Sequence, residues 1–490
     1  MTNEFDLLLR RWPTAEAFYA ERDHRTQLEI RDLRHYAHVP VEIRVCADLA
    51  DDVTVQRMTL LASNLTARWS RNLTISVPDV PLAAALRIHD DTGLIARLKR
   101  ELFQANPFGA FTIGSERDRQ PGSLCLRIGP QRKRNSSCHE TDYVIDAVGW
   151  TALGWRFDGM HSYTRYPATA PAAALAATIA AADLFKRAVG HAPEDWLGRV
   201  SWCTWNHLLN LDPQSPQPNI GIPTTLDLGN LLIAGVGAVG SALLYILGLV
   251  QSHGTVTLLD KDQVDPSNLN RSPLFTAEDA ALSRRKVDVG ERLLRLLGIR
   301  VQSVYGTWHD HGERLSREPF DAWVSLTNEH GAWAEVPYLL PPVVLHGTTT
   351  SEWGIAFGRH IPRVEDCTAC RLPQPHAEFR GPCAEAAIDP PDERQQYRAS
   401  LPFLSACSAA LIAAELLKLR SPDVSSLPNA VYADFRRGLP AVIATRLKSK
   451  SNCRGCQTLA YPSWLHRGGQ SRYAYLSTHD GKPRDSGSHA

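Results

Sequence analysis

Neither sign of charge is in excess: 53 Lys and Arg stand against 52 Asp and Glu, a net charge of +1. A nucleic acid backbone calls for a basic surface, so no nucleic-acid partner is expected. No run of about 18 apolar residues occurs, so no membrane span is expected either. The opening stretch, Met1 to Trp12, mixes Glu4 and Asp6 with Arg10 and Arg11 and has no apolar signal-peptide core. The expected location is therefore cytoplasmic, and the ten cysteines are read as thiols, metal ligands or nucleophiles before disulfides. No internal sequence repeat is visible.

At 490 residues the chain is too long for one ordinary core. Its weakest region is the Pro-rich stretch from Leu211 to Pro223, which has no apolar periodicity. The divisions read from the sequence are an α/β domain over 1–210, a connector over 211–225, a second α/β domain over 226–460 and a flexible tail over 461–490. In the first domain, strands are expected at Val41–Val45, Leu73–Val77, Ser123–Ile128 and Tyr143–Val148, with helices at Val53–Trp69 and Gly93–Gln104. A long Ala-rich helix, Ala168–Val189, should bury Leu175, Ile179 and Leu184. The alternation suggests a doubly wound sheet. This half has no Gly-rich loop and no metal cluster.

The second half begins with a sharper signal. The apolar strand Asn230–Ala234 runs into Gly235-Val236-Gly237-Ala238-Val239-Gly240 and a helix, and the next strand ends at Asp260. This is a mononucleotide-binding fingerprint. Gly235 permits the tight turn, Gly237 lets phosphate approach the backbone, Gly240 lets helix and strand pack closely, and the acid accepts from ribose hydroxyls. Alone it serves NAD as well as ATP. Downstream, Asp262 and the run Asp265-Pro266-Ser267-Asn268-Leu269-Asn270-Arg271, with Lys286 beyond, cluster cation and amide donors that a triphosphate needs and a hydride-transfer enzyme does not.

Cys367 and Cys370 form one CxxC pair, and Cys453 and Cys456 a second. Four thiolates in two such pairs suit a closed tetrahedral zinc site; the rival reading is a redox-active pair. Of the remaining cysteines, Cys46, Cys125, Cys138 and Cys203 lie far from the nucleotide motif. Cys383 opens a polar, Pro-containing stretch, where a thiol is accessible. Cys407 sits in an apolar helix, Pro402–Leu419, where a small core residue is the better reading.

The second half resembles the superfamily of ThiF, MoeB, HesA and the ubiquitin-activating enzymes, on the Asp260-Lys261-Asp262 strand end, the Ser267-Asn268-Leu269-Asn270-Arg271 run and the two CxxC pairs. The resemblance implies a Rossmann-like adenylation domain using ATP, Mg2+ and a structural Zn2+. It implies ribose contacts by Asp260 and Asp262, phosphate contacts by Asn268, Arg271 and Lys286, and a nucleophilic Cys383 near a crossover loop. The family's magnesium-binding Asp is replaced, leaving Asn328 or Glu329 to serve. The family's Gln after the Arg is Ser272.

The first half reads as an inactive adenylation-like domain. Its helix ending Leu184-Phe185-Lys186-Arg187 is similar to Ala413-Ala414-Glu415-Leu416-Leu417-Lys418 in the second half. Such a pairing resembles the compact activating enzymes of bacterial ubiquitin-like conjugation operons, some of which act against phage. The implied partners are a ubiquitin-like β-grasp protein and a conjugating enzyme, with a homodimer also open. The alternatives are a sulfur-carrier adenylyltransferase that forms no thioester, an NAD enzyme, and a non-catalytic scaffold.

Overall fold

The computed structural model describes residues 2–29, 33–88, 92–115, 120–130, 141–157, 165–210, 220–327, 343–350, 353–362, 364–371, 401–438, 440–453, 456 and 471–477. Short runs rich in Val, Ile and Leu pair into two sheets of eight strands each. The first contains β1 (Val41–Val45), β2 (Asn72–Ser76), β3 (Ala110–Gly114), β4 (Leu124–Ile128), β5 (Tyr143–Val148), β6 (Thr151–Arg156), β7 (Val200–Cys203) and β8 (Leu209–Asn210). The second contains β9 (Thr225–Ala234), β10 (Gln251–Asp260), β11 (Arg300–Tyr305), β12 (Ala322–Ser325), β13 (Val344–Thr349), β14 (Gly354–His360), β15 (Ala430–Asp434) and β16 (Ala441–Thr445).

The two sheets have one topology. The first runs 3-2-1-4-5-6-7-8 and the second 11-10-9-12-13-14-15-16, which is the same path eight strands later. The pairing matches as well: strands are parallel up to β5 and up to β13, and each sheet then continues antiparallel to its end. The expected doubly wound architecture therefore holds for both halves, each extended by an antiparallel tail of strands.

Helices α1 (Thr2–Arg11), α2 (Ala15–Arg22), α3 (His24–Glu29) and α4 (Leu33–Tyr36) precede the first sheet, and α5 (Val53–Ala67), α6 (Leu94–Ala105) and α7 (Ala170–Ala188) pack on it. The second half has α8 (Ala238–Leu247), α9 (Ala277–Ala281), α10 (Lys286–Leu296), α11 (Trp308–Leu315), α12 (Thr368–Arg371) and α13 (Pro402–Lys418). The expectation that α7 buries one side is too narrow: every one of its residues is buried, as is every residue of α13. Each helix lies on its own sheet and also against the other helix, and alanine on both lets the backbones approach. One core cluster consequently runs through both halves. Phe185 meets Phe403 and Trp353 at ring-centroid distances of 5.8 and 5.7 Å, which suits edge and tilted aromatic packing.

The likeness of α7 to α13 extends to their charged ends. In α13, Glu415 pairs with Arg359 on β14 (2.6 Å) and with Lys418, all three without exposure. In α7, Asp183 pairs with Arg156 on β6, the strand equivalent to β14. Each lysine then crosses to the other half. Lys418 Nζ donates to the carbonyls of Thr204 (3.1 Å) and Trp205 (2.8 Å), between β7 and β8. Lys186 Nζ donates to the carbonyl of Arg437 (2.6 Å), between β15 and β16. The halves thus meet through one patch used twice, as in a two-fold interface.

Within the segment read as a tail, Ser471–Ser477 is held on the second half. Arg472 pairs with Asp227 at 2.8 Å, and Tyr473 and Leu476 are buried. Among the described residues no helix is long and apolar enough to cross a membrane.

Candidate nucleotide site and metal centre

In each sheet the strand order reverses between its first and fourth strands, and in open α/β sheets ligands bind outside the carboxyl ends of the strands at that point. In the second half this is where β9 gives way to Gly235, with β10 and β12 on either side. Gly235 has φ +100°, and a Cβ there would lie 2.7 Å from the carbonyl carbon of Leu326. Gly240 packs so closely that a Cβ would strike the carbonyl oxygen of Gly235. A Cβ at Gly237 would meet nothing within 4 Å, so that side of the turn is open. Gly237 is the N-cap of α8 and brings no side-chain hydrogen bond to it, which leaves the helix N-terminus available to an anion.

Asp260 ends β10 beside this turn. Its Oδ2 accepts from Val236 N at 2.6 Å and its Oδ1 from Asp262 N at 2.8 Å, so the carboxylate ties the two strand ends together. Burial pushes its pKa up, opposed by the charge of Lys286. Asp262 is half exposed and accepts from Lys286 Nζ at 2.8 Å. The structure therefore brings the glycine turn, both acids and Lys286 together, as expected from their order in the chain.

Asp265 starts a 3-10 turn as a capping box: its side chain accepts from Ser267 N at 2.8 Å, and Asn268 Oδ1 accepts from Asp265 N at 3.0 Å. Asn268 thus shapes the loop through its carbonyl oxygen. Arg271 follows, 5% exposed, with Nη1 on Ser267 O (2.6 Å) and Asn270 Oδ1 (2.8 Å). These acceptors are neutral. Burial lowers the pKa of Arg271 well below its usual value, and the charge of Arg25 lowers it further. Asp265 offsets these through space without bonding to the guanidinium; a buried cation whose hydrogen bonds go to neutral oxygens, beside another cation, is suited to receive an anion.

Sequence reasoning missed what the first half contributes. Thr26 Oγ1 accepts from Asn270 Nδ2 at 2.7 Å, and Arg25, also on α3, acts on Arg271. Nothing local in the sequence marks either residue, because their relevance depends on how the halves dock.

The same position in the first half is filled. Between β1 and α5 there is no glycine turn; Asp52 is the N-cap of α5 and accepts from Thr54 N (2.8 Å) and Val55 N (3.1 Å). Arg165 binds both oxygens of Asp52, at 2.9 and 3.0 Å, and also Asp146 at 3.1 Å. Burial works to raise the pKa of Asp52, but Arg165 and the two amides hold it below the usual carboxylate range. A carboxylate of the chain thus accepts from the helix N–H groups here, where the equivalent helix of the second half has no side-chain cap.

Cys367, Cys370, Cys453 and Cys456 converge so that their sulfurs all lie within 4.8 Å of one another. Cys367 and Cys453 are 3.6 Å apart, and Cys370 and Cys456 3.4 Å. Tetrahedral zinc with Zn–S bonds of about 2.3 Å places sulfurs roughly 3.8 Å apart, so the four thiols fit and could bind the ion. Arg371 pairs with Asp366 (2.6 Å), and Asn429 Nδ2 donates to the same carboxylate (3.1 Å), fixing the strand end from which the first pair springs.

Cys407 is fully buried in α13, and burial pushes its thiol pKa far up, as its apolar surroundings suggested. Cys383, Asn328 and Glu329 lie outside the described residues, as do Cys138 and most of the connector.

A strand, glycine turn and helix at a switch point, with an acid ending the adjacent strand, define a Rossmann-like mononucleotide domain. Residues 223–324 match the ThiF family; this segment is a ThiF-family domain, within the superfamily of ThiF, MoeB and the ubiquitin-activating enzymes. No curated protein matches the chain. Among solved structures it is similar to E. coli MccB with selenomethionine MccA, at 17% identity and a TM-score of 0.36, over 46% of this chain and 66% of that one. It is similar also to E. coli MccB with ATP (18%, 0.35, 46% and 66%). The microcin C7 biosynthetic enzyme MccB in complex with N-formylated MccA gives 19%, 0.37, 46% and 67%. The chain spans just under two thirds of the length of the first of these.

Proposed function

We propose that the second half activates a carboxylate by ATP-dependent adenylation, and that the carboxylate is the C-terminal glycine of a ubiquitin-like β-grasp protein. The observation that carries this reading is the open glycine turn and uncapped helix N-terminus beside Asp260, followed along the chain by Arg271, a buried cation hydrogen-bonded to neutral oxygens. Such an arrangement suits a polyphosphate and is superfluous for hydride transfer.

In the proposed reaction a carboxylate oxygen attacks the α-phosphorus of ATP and the bond to pyrophosphate breaks. Asp260 and Asp262 hold the ribose, while Arg271, Lys286 and the amides at Gly237 meet the phosphates. Arg25 adds a second cation from the first half. Lys286 reaches the phosphates by leaving Asp262. Mg2+ supplies further charge on the phosphates, with Asn328 or Glu329 as its expected ligands. The thiolate of Cys383 then attacks the acyl carbon, AMP leaves with its oxygen, and a thioester remains for transfer to a conjugating enzyme. Zinc at the four cysteines is structural, with no position open to substrate. The first half is inactive in this scheme, since Asp52 fills its anion position.

ATP–pyrophosphate exchange dependent on a candidate carrier tests the first step, and Asp262→Ala should weaken ATP binding by about 1.5–3 kcal/mol. Equal binding of NAD and ATP by the unmodified chain would sink the adenylation reading. Cys383→Ala should keep the exchange and lose a thiol-sensitive adduct; if the unmodified chain forms no adduct, activation ends at the adenylate, as in a sulfur-carrier adenylyltransferase.

A further inference from the structure

Helix α5 belongs to the first half, yet one stripe of it is bonded to the second. Arg57, Asn64 and Arg68 are spaced seven and four residues apart, which places them along one helix face. All three are nearly buried, at 7%, 3% and 1% exposure. Arg57 Nε donates to Leu249 O at 2.7 Å, just beyond the C-terminus of α8. Arg68 reaches the loop that carries Arg271: Nη1 donates to Leu269 O (2.8 Å), and Nη2 to Pro273 O (2.7 Å) and Phe275 O (3.1 Å). Asn64 supports this twice, accepting from Arg68 Nε at 2.8 Å and donating to Pro273 O at 3.2 Å.

The bonds fall on either side of Arg271. Leu269 lies two residues before it and Pro273 two residues after, so Arg68 fastens both flanks of the turn that presents the guanidinium. Leu269 and Phe275 anchor this loop in the core, while Pro273 to Thr276 border a cavity of about 330 Å³ between the halves, lined also by Arg97 and Tyr245. The partners of Arg68 are neutral, and burial lowers its pKa to about 9. Glu101 favours its charge through space without bonding to it; what the site uses is geometry, since a planar fork of five N–H donors serves three carbonyls and Asn64 at once, more than the three donors of a lysine.

We propose that Arg68, seated by Asn64, is a positioning residue for Arg271, so that the inactive half holds the phosphate loop of the active half in its working shape. This rests on the adenylation reading above. Arg68 touches no substrate; it acts through the loop.

The test is calorimetric titration of the full chain with ATP and with adenosine, which has no phosphate for Arg271 to meet. Arg68→Gln should weaken ATP binding about tenfold, the loss expected for one charge-assisted hydrogen bond, and leave adenosine binding within about twofold. In an Arg271→Ala background, Arg68→Gln should cause no further loss of ATP affinity, since two residues acting through one contact are not additive. Asn64→Leu, a milder change, should move ATP binding the same way by a smaller factor and secures the test if Arg68→Gln folds poorly. Equal weakening of ATP and adenosine, additive effects in the double variant, or unchanged ATP binding would each overturn the inference. If the unmodified chain binds neither ligand, the adenylation reading itself fails and this inference with it.

Discussion

Two halves of this chain follow one strand path, and they differ most where that path reverses. In the second half the crossing from β9 to α8 is a glycine turn with an open side and an uncapped helix. In the first half the crossing from β1 to α5 is longer, and Asp52 caps the helix under the grip of Arg165. Both crossings present the first backbone donors of a helix. One meets them with a carboxylate of the chain, and the other brings no side-chain cap. A fold repeated twice thus has an open helix N-terminus in one copy and a capped one in the other, and the two copies are joined through α3, α5 and α7.

The antiparallel end of the second half also carries the four-cysteine cluster, and breaking it should produce the largest difference between the halves. We expect one zinc per purified chain, measured by elemental analysis. Cys367→Ser should destabilise that end by on the order of 5 kcal/mol or more, with hydrogen-exchange protection lost at β14 to β16 and retained at β1 to β5. Uniform loss across both sheets would contradict a staple confined to one half.

The reciprocal lysines offer a sharper comparison. Neither lysine is exposed; Lys418 lies between Glu415 and Thr204 and faces His207, whereas Lys186 hydrogen-bonds to main-chain carbonyls and meets Asp183, Asp195 and Asp434 only through space. Lys418→Met should therefore cost about 3–4 kcal/mol by stranding buried charge, and Lys186→Met about 1–2 kcal/mol by freeing carbonyls. Equal costs in urea titrations would mean that the carbonyl contacts dominate both sites.

His207 belongs to the first half and accompanies Glu415 and Lys418 in the second, with Nε2 2.8 Å from Glu415 Oε1. Burial, reinforced by Lys418, lowers its pKa to about 4. An unfolded histidine takes up a proton near pH 6.5, so between pH 6.5 and 4 the unfolded chain binds more protons and stability falls on acidification. This contribution is present above pH 6.5 and is lost as pH drops toward 4, by up to about 3 kcal/mol. His207 has φ +59°, which asparagine tolerates. The stability advantage of the native chain over His207→Asn should shrink across that range; an advantage constant with pH would assign the network no part in acid sensitivity.

The smallest effect is expected at the filled site. Asp52→Ala removes a cap and should cost about 1 kcal/mol without adding a second ATP site, because the first half still has no glycine turn. A second bound nucleotide in calorimetry would show that Asp52 alone had closed it.

Local chemistry made much of the second half legible. A glycine turn between an apolar strand and a helix, an acid ending the next strand and two CxxC pairs are each defined by residues close in sequence, and their spacing already implies their geometry. The strands β1, β4 and β5 and helix α5 were equally readable from short-range pattern. The antiparallel strands after β5 and β13 were mostly missed, since β7 is four residues long and wholly buried and β16 is five residues long, so neither carries much periodicity of its own. The identity of the two strand paths was also hidden, because topology survives when sequence similarity has shrunk to the ends of α7 and α13. Sequence by itself determined the nucleotide fingerprint and the thiol cluster, which are short-range and chemically specific. Tertiary structure alone decided that Arg165 holds the Asp52 cap of α5, that Thr26 and Arg25 approach Asn270 and Arg271, and that Arg68 bonds to the loop carrying them. Asp52 and Arg165 are 113 positions apart within the first half, and Arg68–Leu269 and Asn270–Thr26 are 201 and 244 apart across the halves, so each depends on how distant segments pack.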